Sequence, residues 1–228
     1  METINIDVET LNGTEAKAIE VTDLVIAGWA GRDAEAMEHH IRELEALGIA
    51  RPRETPIFYR VSASRLATED AIEVMGDDSS GEVECVLTSH NGKLFVGIGS
   101  DHTDRKVETF GVTASKQICE KPVSTVFWPF DEVSDHWDEL VITSYATIGG
   151  ERVLYQNGPV AGLLRPETLI KKYTDGGTLP DGTMMFCGTL PAIGGIRSAS
   201  DFECRLVDPV LARELELRYH IKSLAIAD

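Results

Sequence analysis

The chain's 228 residues make up one domain's worth of sequence, enough to bury a sizeable core. Its 38 Asp and Glu against 21 Lys and Arg give a formal charge of −17, which repels phosphate backbones and anionic bilayers, so nucleic-acid and membrane partners are not expected. The opening "METINIDVETLNG" has no secretory pattern and no apolar run reaches a membrane span, and Cys85, Cys119, Cys187 and Cys204 lack C-x-x-C spacing; a soluble, cytoplasmic protein with buried free thiols is expected.

Taken in chain order, the pattern predicts mostly strands in a single domain over 1–228, with residues 1–20 as an N-terminal strand or extension around "TINIDV". "DLVIAGW" follows as a second strand. A helix is then predicted from about Asp33, a good N-cap, to Gly48, a good stop. On its wheel Met37, Ile41, Leu44 and Leu47 form one apolar stripe, with His40 inside it, Glu43 flanking it and His39 turned to solvent. Further strands are "PIFYRVSA", "EVECVLTSHNGKLFVGIGS", "STVFWPF", "ELVITSYATIGGERVLYQ", "TMMFCGTL", "FECRLVD" and "ELRYHIKSL". Asn91-Gly92 and Gly149-Gly150 supply the positive-φ residues that tight hairpins need. A second helix is predicted in "RPETLIKKYTDGG", with Pro166 at its first position. Many short strands with turns between them indicate an α+β, mainly β fold, a sandwich or barrel rather than a parallel α/β sheet.

The segment "GEVECVLTSHNGKLFVGIGSDHTDR" carries the chemistry. Residues two apart on a strand share a face, so Glu82 and Glu84 project together while Val83, Cys85 and Leu87 project oppositely. Taken alone, E-x-E is most often a solvated strand end. With Asp101 closing the next apolar run, however, three oxygen donors are available, a hard-ligand set suited to Mg²⁺, Mn²⁺ or Ca²⁺. Arg105 and Lys121 follow, and a metal beside such cations suits a carboxylate next to a carbonyl oxygen. His102 and Asp104 alternate away from Asp101 and suit supporting or solvent-facing roles. No G-x-S-x-G supports serine hydrolysis, and the glycines of "VGIGSD" do not open a helix as a dinucleotide fingerprint would.

From about Leu24 to Gly195 the chain resembles the fumarylacetoacetate hydrolase superfamily, in an uncharacterised bacterial branch of unknown function. The resemblance rests on the doublet Glu82-Val-Glu84, "GSDHTDR", "KPVSTVFWPFDEV", "LVITSYATIGGERVLYQNG" with Gln156, and "LPDGTMMFCGTLP", in that order. It implies a mixed β-sandwich roll with a short lid helix, a homodimer, and Glu82, Glu84 and Asp101 as ligands of Mg²⁺ or Mn²⁺, with Ca²⁺ as a further candidate. It also implies Arg105, Lys121, Thr189, Gly188, Arg60 and Glu108 around the substrate, Lys121 also acting on developing oxyanion charge. His40-Ile-Arg-Glu43 has the family's H-x-x-E lid spacing. The family's "G-x-N-Y-x-x-H" reads "GWAGRDAEAMEHH" here, so assigning His40 requires about six inserted residues, a length that loops tolerate. Glu108 stands where a glutamine is usual.

The activity implied is metal-dependent hydrolysis of a C–C bond in a diketo or acylpyruvate-like carboxylic acid. The alternatives are a lyase or isomerase on a 2-keto acid (decarboxylase, hydratase or tautomerase), and a non-catalytic β-domain with a decayed site.

Overall fold

In the computed structural model, residues 1–46 and 51–227 are described. The strands in chain order are β1 (Glu2–Thr10), β2 (Gly13–Val21), β3 (Asp23–Gly28), β4 (Ile57–Val61), β5 (Leu66–Ala67), β6 (Ala71–Met75), β7 (Ser79–Ser80), β8 (Val83–His90) and β9 (Lys93–Ser100). They continue with β10 (Thr103–Asp104), β11 (Lys121–Pro122), β12 (Val126–Pro129), β13 (Val141–Ile148), β14 (Glu151–Pro159), β15 (Thr183–Phe186), β16 (Asp201–Asp208) and β17 (Arg213–Leu224). The α-helices are α1 (Ala34–Ala46), α2 (Arg105–Glu108), α3 (Val112–Ile118) and α4 (Pro166–Tyr173). Among the described residues, no helix is long and apolar enough to cross a membrane.

Two sheets make the body, one of eight strands in the order β2-β1-β12-β9-β8-β15-β3-β4 and one of five in the order β14-β13-β16-β17-β6. Their facing sides share one apolar core. β8 and β9 contribute Val83, Cys85, Leu87, Val96 and Ile98, and the smaller sheet contributes Ile142, Phe202, Cys204, Leu206, Leu217 and Tyr219. The period-2 alternation of "FECRLVD" explains the second set, because Phe202, Cys204 and Leu206 all point inward. The larger sheet curls so that its other face closes a second core of Ile4, Ile6, Val8, Ile19, Leu24, Ile26, Val86, Phe127 and Phe186. β8 and β9 are therefore covered on both faces, which is why "VECVL" is a nearly continuous apolar run.

The glycines of "VGIGSD" have a packing role. A Cβ at Gly97 would fall 2.6 Å from the Phe127 ring, and one at Gly99 would fall 2.7 Å from Phe186 and 2.8 Å from Val86. Both hairpins close as their turn residues require, with Asn91 at φ 53° and Gly92 at 71°, then Gly149 at 60° and Gly150 at 85°. Asp33 caps α1 by accepting from the N–H groups of Glu35 and Ala36 at 3.0 Å. The expected end of that helix, at Leu47 and Gly48, lies outside the described residues. All four cysteines are free and buried.

Sequence reading missed two of the longer strands. β2 is strongly polar, with only Ile19 and Val21 fully buried, and it forms a hairpin with β1 in place of the single N-terminal strand expected. β6 holds the edge of the smaller sheet by pairing parallel to β17, and its signal is short, the two buried residues Ile72 and Val74 in five.

Candidate metal centre

Glu82, Glu84 and Asp101 converge where β8 begins and β9 ends, with one carboxylate oxygen from each lying within 4.8 Å of the others. The β8–β9 ladder fixes the approach: Val83 pairs with Ser100, and Asp101 N–H donates to Glu82 C=O at 2.9 Å. Glu84 shares its strand face with Val86, and Gly99 stands opposite it, so no side chain from β9 crowds the carboxylate. Glu84 and Asp101 are buried, and Glu82 is partly exposed.

The residues around the trio hold it in place. Gly188, just after β15, donates its N–H to Glu84 Oε2 at 2.7 Å. Its φ is +94° and an added Cβ would meet that of Ala30 at 2.7 Å, so only glycine brings this N–H so close. Thr189 donates its hydroxyl to Val83 C=O at 2.7 Å. Gln156, on β14, spans the gap between the sheets. Its Oε1 accepts from Val83 N–H and Ser144 Oγ at 3.0 Å, and its Nε2 donates to Thr189 Oγ1 at 2.7 Å and to Leu190 C=O at 2.5 Å. Buried His102 sits between the Tyr219 hydroxyl at 3.0 Å and Ser79 Oγ at 2.9 Å. Tyr219 in turn meets Ser100 Oγ at 2.8 Å, which accepts from Glu82 N–H at 3.2 Å. Burial, together with Lys121 and Arg105, brings His102 down to about 3, so the ring is neutral.

Three cations balance the carboxylates. Lys116, on α3, bonds Asp101 directly and lies 3.7 Å from Glu82. Lys121 is wholly buried; it donates to His102 C=O at 2.5 Å and Cys119 C=O at 3.2 Å and lies 3.3 Å from Asp101 Oδ1. Arg105 pairs with Glu82 and Glu108, each at 3.0 Å, and donates through Nε to Ser80 at 2.7 Å. Burial pushes Asp101 up, but the two ammonium groups outweigh it and hold its carboxyl below the usual range. Glu84 goes the other way: burial first, then the charges of Asp101 and Glu82, raise it well above the ordinary carboxylate value. Of the two lysines, burial lowers Lys121, whereas the carboxylates around Lys116 overcome its burial and raise it.

The donor set fits a divalent cation. Asp101 Oδ1 is buried without a hydrogen-bond donor, since Lys121 at 3.3 Å is an ion pair and not an aligned hydrogen bond. Three converging carboxylates, two of them buried, already draw on three basic side chains, and a bound cation would reduce their mutual repulsion further. An all-oxygen set selects a hard ion.

The structure brings Glu82, Glu84, Asp101, Arg105, Glu108, Lys121, Gly188 and Thr189 together, with several roles changed. Lys121 is sealed in the interior, and Lys116, which sequence reading missed, is the lysine beside Glu82. Nothing in the local sequence distinguishes it from Lys106. The Gly188 N–H donates to Glu84 and the Thr189 hydroxyl to Val83 C=O, which leaves the Thr189 backbone N–H as the donor expected for a substrate carboxylate. Arg60 does not reach the centre. It pairs with Asp23 at 2.5 Å and donates to Leu24 C=O at 3.1 Å. Asp23 is level with Thr183, five residues or about 16 Å along β15 and its extension from Gly188. Arg60 also lies on the strand face opposite Tyr59, whose ring is 5.7 Å from Lys116 Nζ. His40 and Glu43 fall within α1, but their side chains lie outside the described residues.

No curated protein sequence matches the chain. Solved structures share its fold. One is 2-keto-3-deoxy-D-arabinonate dehydratase complexed with magnesium and 2,5-dioxopentanoate, at 16% identity and TM-score 0.67, covering 95% of this chain and 78% of that one. A second is yeast ynq8, a fumarylacetoacetate hydrolase family protein, at 14% and 0.61, covering 89% and 93%. A third is 4-oxalocrotonate decarboxylase from Pseudomonas putida G7 complexed with calcium and acetate, at 14% and 0.56, covering 90% and 78%. The expected fumarylacetoacetate-hydrolase-type fold is therefore the observed one. The family described as protein of unknown function (DUF2848) matches residues 27–219, which leaves out β1, β2 and most of β3 but includes every residue of the carboxylate centre, and the chain belongs to that family.

Proposed function

We propose that the chain is a divalent-cation-dependent enzyme that hydrolyses a carbon–carbon bond in a small diketo or acylpyruvate-like carboxylic acid. The observation that carries this reading is the convergence of the Glu82, Glu84 and Asp101 carboxylates. Similar folds bind magnesium with 2,5-dioxopentanoate and calcium with acetate, which supports the same class of ligand here. Mg²⁺ or Mn²⁺ at the trio, or Ca²⁺, supplies Lewis acidity toward the keto oxygen of a bound acid.

The chain's own groups do the rest. Gly188 fixes Glu84, while Gln156 and Ser100 hold the backbone of Val83 and Glu82, so the ligand oxygens are set in advance. Lys116, buried between Asp101 and Glu82, would offset negative charge that grows on a substrate oxygen, the role that the resemblance implies for Lys121. Lys121 steadies Asp101 from behind. By the family resemblance, His40 and Glu43 would activate water and move its proton. The hydroxyl adds to the acyl carbon, and the proton goes to the carbon that departs.

A second reading keeps the centre and changes the reaction to loss of water or carbon dioxide from a 2-keto acid, or to tautomerisation. It is favoured by the similar folds, which include a dehydratase and a decarboxylase. The deciding experiment incubates the Mn²⁺-loaded protein with acylpyruvates and with 2-keto-3-deoxy acids and identifies the products. Two acids formed with uptake of water support hydrolysis; carbon dioxide or a dehydrated acid supports the second reading. Undiminished turnover by Glu84→Ala or Asp101→Ala would refute both.

A further inference from the structure

We infer that the centre selects monocarboxylate keto acids with an uncharged tail, and that Glu108 is the residue that turns dicarboxylates away. The inference rests on the keto-acid reading above and goes beyond it by naming which acids are admitted.

Each cation at the centre already faces protein oxygens. Arg105 spends one edge of its guanidinium on Glu82 and Ser80 and its remaining terminal nitrogen on Glu108. Lys116 lies between Asp101 and Glu82, and Lys121 is buried against two carbonyls and Asp101. Arg60 is held at Asp23, about a strand's length away. No guanidinium or ammonium in this set is left for a second substrate carboxylate.

The charge count leads to the same conclusion. Among the described residues, four carboxylates, Glu82, Glu84, Asp101 and Glu108, face three cations, Arg105, Lys116 and Lys121, so these seven groups carry a formal charge of −1 when fully ionised. A divalent cation brings it to +1, which one substrate carboxylate neutralises. A second carboxylate would enter a low-dielectric site with no counter-charge, beside Glu108 and inside a chain of net charge −17. Glu108 makes the difference, because a neutral residue there would free one arm of Arg105 and leave the loaded centre at +2. Tyr59, half-buried beside Lys116, gives an uncharged tail an aromatic neighbour. Specificity of this kind comes from what the site repels as much as from what it attracts.

The test is titration calorimetry on the full chain loaded with Mn²⁺, using 2-oxopentanoate and 2-oxoglutarate, which share a five-carbon backbone and differ by one terminal carboxylate. Wild-type protein is expected to prefer 2-oxopentanoate by roughly tenfold or more, and Glu108→Gln to shrink that preference by a similar factor, with Glu108→Asp retaining it. Equal affinities in the wild type, or an unchanged ratio in Glu108→Gln when its melting temperature matches the wild type, would overturn the inference while leaving the keto-acid reading standing. Mn²⁺ binding followed by no binding of either acid would overturn both.

Discussion

The two ends of the β8–β9 hairpin, about 23 Å apart, handle acidic residues in opposite ways. At the turn, exposed Asp181 accepts from Ser89 Oγ at 2.7 Å and from Gly92 N–H at 3.0 Å, while Gly182 N–H donates to Ser89 C=O at 3.1 Å. One carboxylate there meets only donors, in solvent. At the open end, three carboxylates face one another, two of them buried, and one oxygen has no hydrogen-bond donor. The turn end is a single carboxylate met by donors, and the open end is a cluster of carboxylates balanced by Arg105, Lys116 and Lys121. Ionisable groups concentrated in a buried cluster make the open end the candidate functional site.

The largest break in this contrast should come from Lys121→Met. Removing a wholly buried partner leaves Asp101 under-compensated, and breaking a buried ion pair in this way costs about 3–5 kcal/mol. Urea denaturation in the presence of a chelator measures the loss; a change within error would mean that Lys121 does not support the centre. Next in size is cation binding itself. At one hundred times its dissociation constant, Mn²⁺ should stabilise the folded chain by about 2.7 kcal/mol, or roughly 5–10 °C in melting temperature. Glu84→Gln and Asp101→Asn should abolish that rise, and no rise in the wild type would favour the non-catalytic reading of the chain. A chelator should have no comparable effect on the turn.

Glycine substitutions sharpen the comparison further. Gly99→Ala places a methyl 2.7 Å from Phe186 and 2.8 Å from Val86, inside a closed core, and overpacking of this kind costs about 1–3 kcal/mol. Gly92→Ala meets no atom within 4 Å but must hold φ +71°, a penalty of about 1 kcal/mol. Thermal denaturation of the pair separates a packing cost from a backbone cost on the same hairpin. Equal losses would mean that the Phe186 ring moves aside.

The unequal legibility of the two ends has the same physical origin. Asn91-Gly92 declares its turn because only a few residues adopt positive φ, and alternation in β16 and β17 declares their inward faces. Glu82, Glu84 and Asp101 were legible as a set because a strand puts i and i+2 together and a short hairpin returns the chain to its start. Lys116 was not, since its place depends on how α3 folds back against β10 and β4. Lys121 reads like a site lysine in sequence, and only the tertiary structure shows it sealed beneath Asp101. Arg60 follows the same rule: strand alternation places it opposite Tyr59, but only the sheet order shows which face meets the centre. Gln156 is legible as part of a motif, and its contacts to Ser144 in its own sheet and to Val83, Thr189 and Leu190 across from it give the reason for it.

The smallest effect expected belongs to Asp181, and its sign can be fixed. The Ser89 hydroxyl and then the Gly92 N–H hold this carboxyl below the ordinary aspartate range. A group whose folded value is depressed contributes stability above its unfolded value, near 4, and loses it as pH falls through the folded one. Wild-type protein should therefore be more stable than Asp181→Asn at pH 7, and the gap should close below about pH 4 as the wild-type carboxyl takes up its proton. Denaturation of both proteins across that range reads the difference directly. A gap independent of pH would show that shape rather than charge at residue 181 closes the turn. If the gap closes on acidification while the Mn²⁺ response is intact at pH 7, the turn and the carboxylate centre act independently although they share two strands.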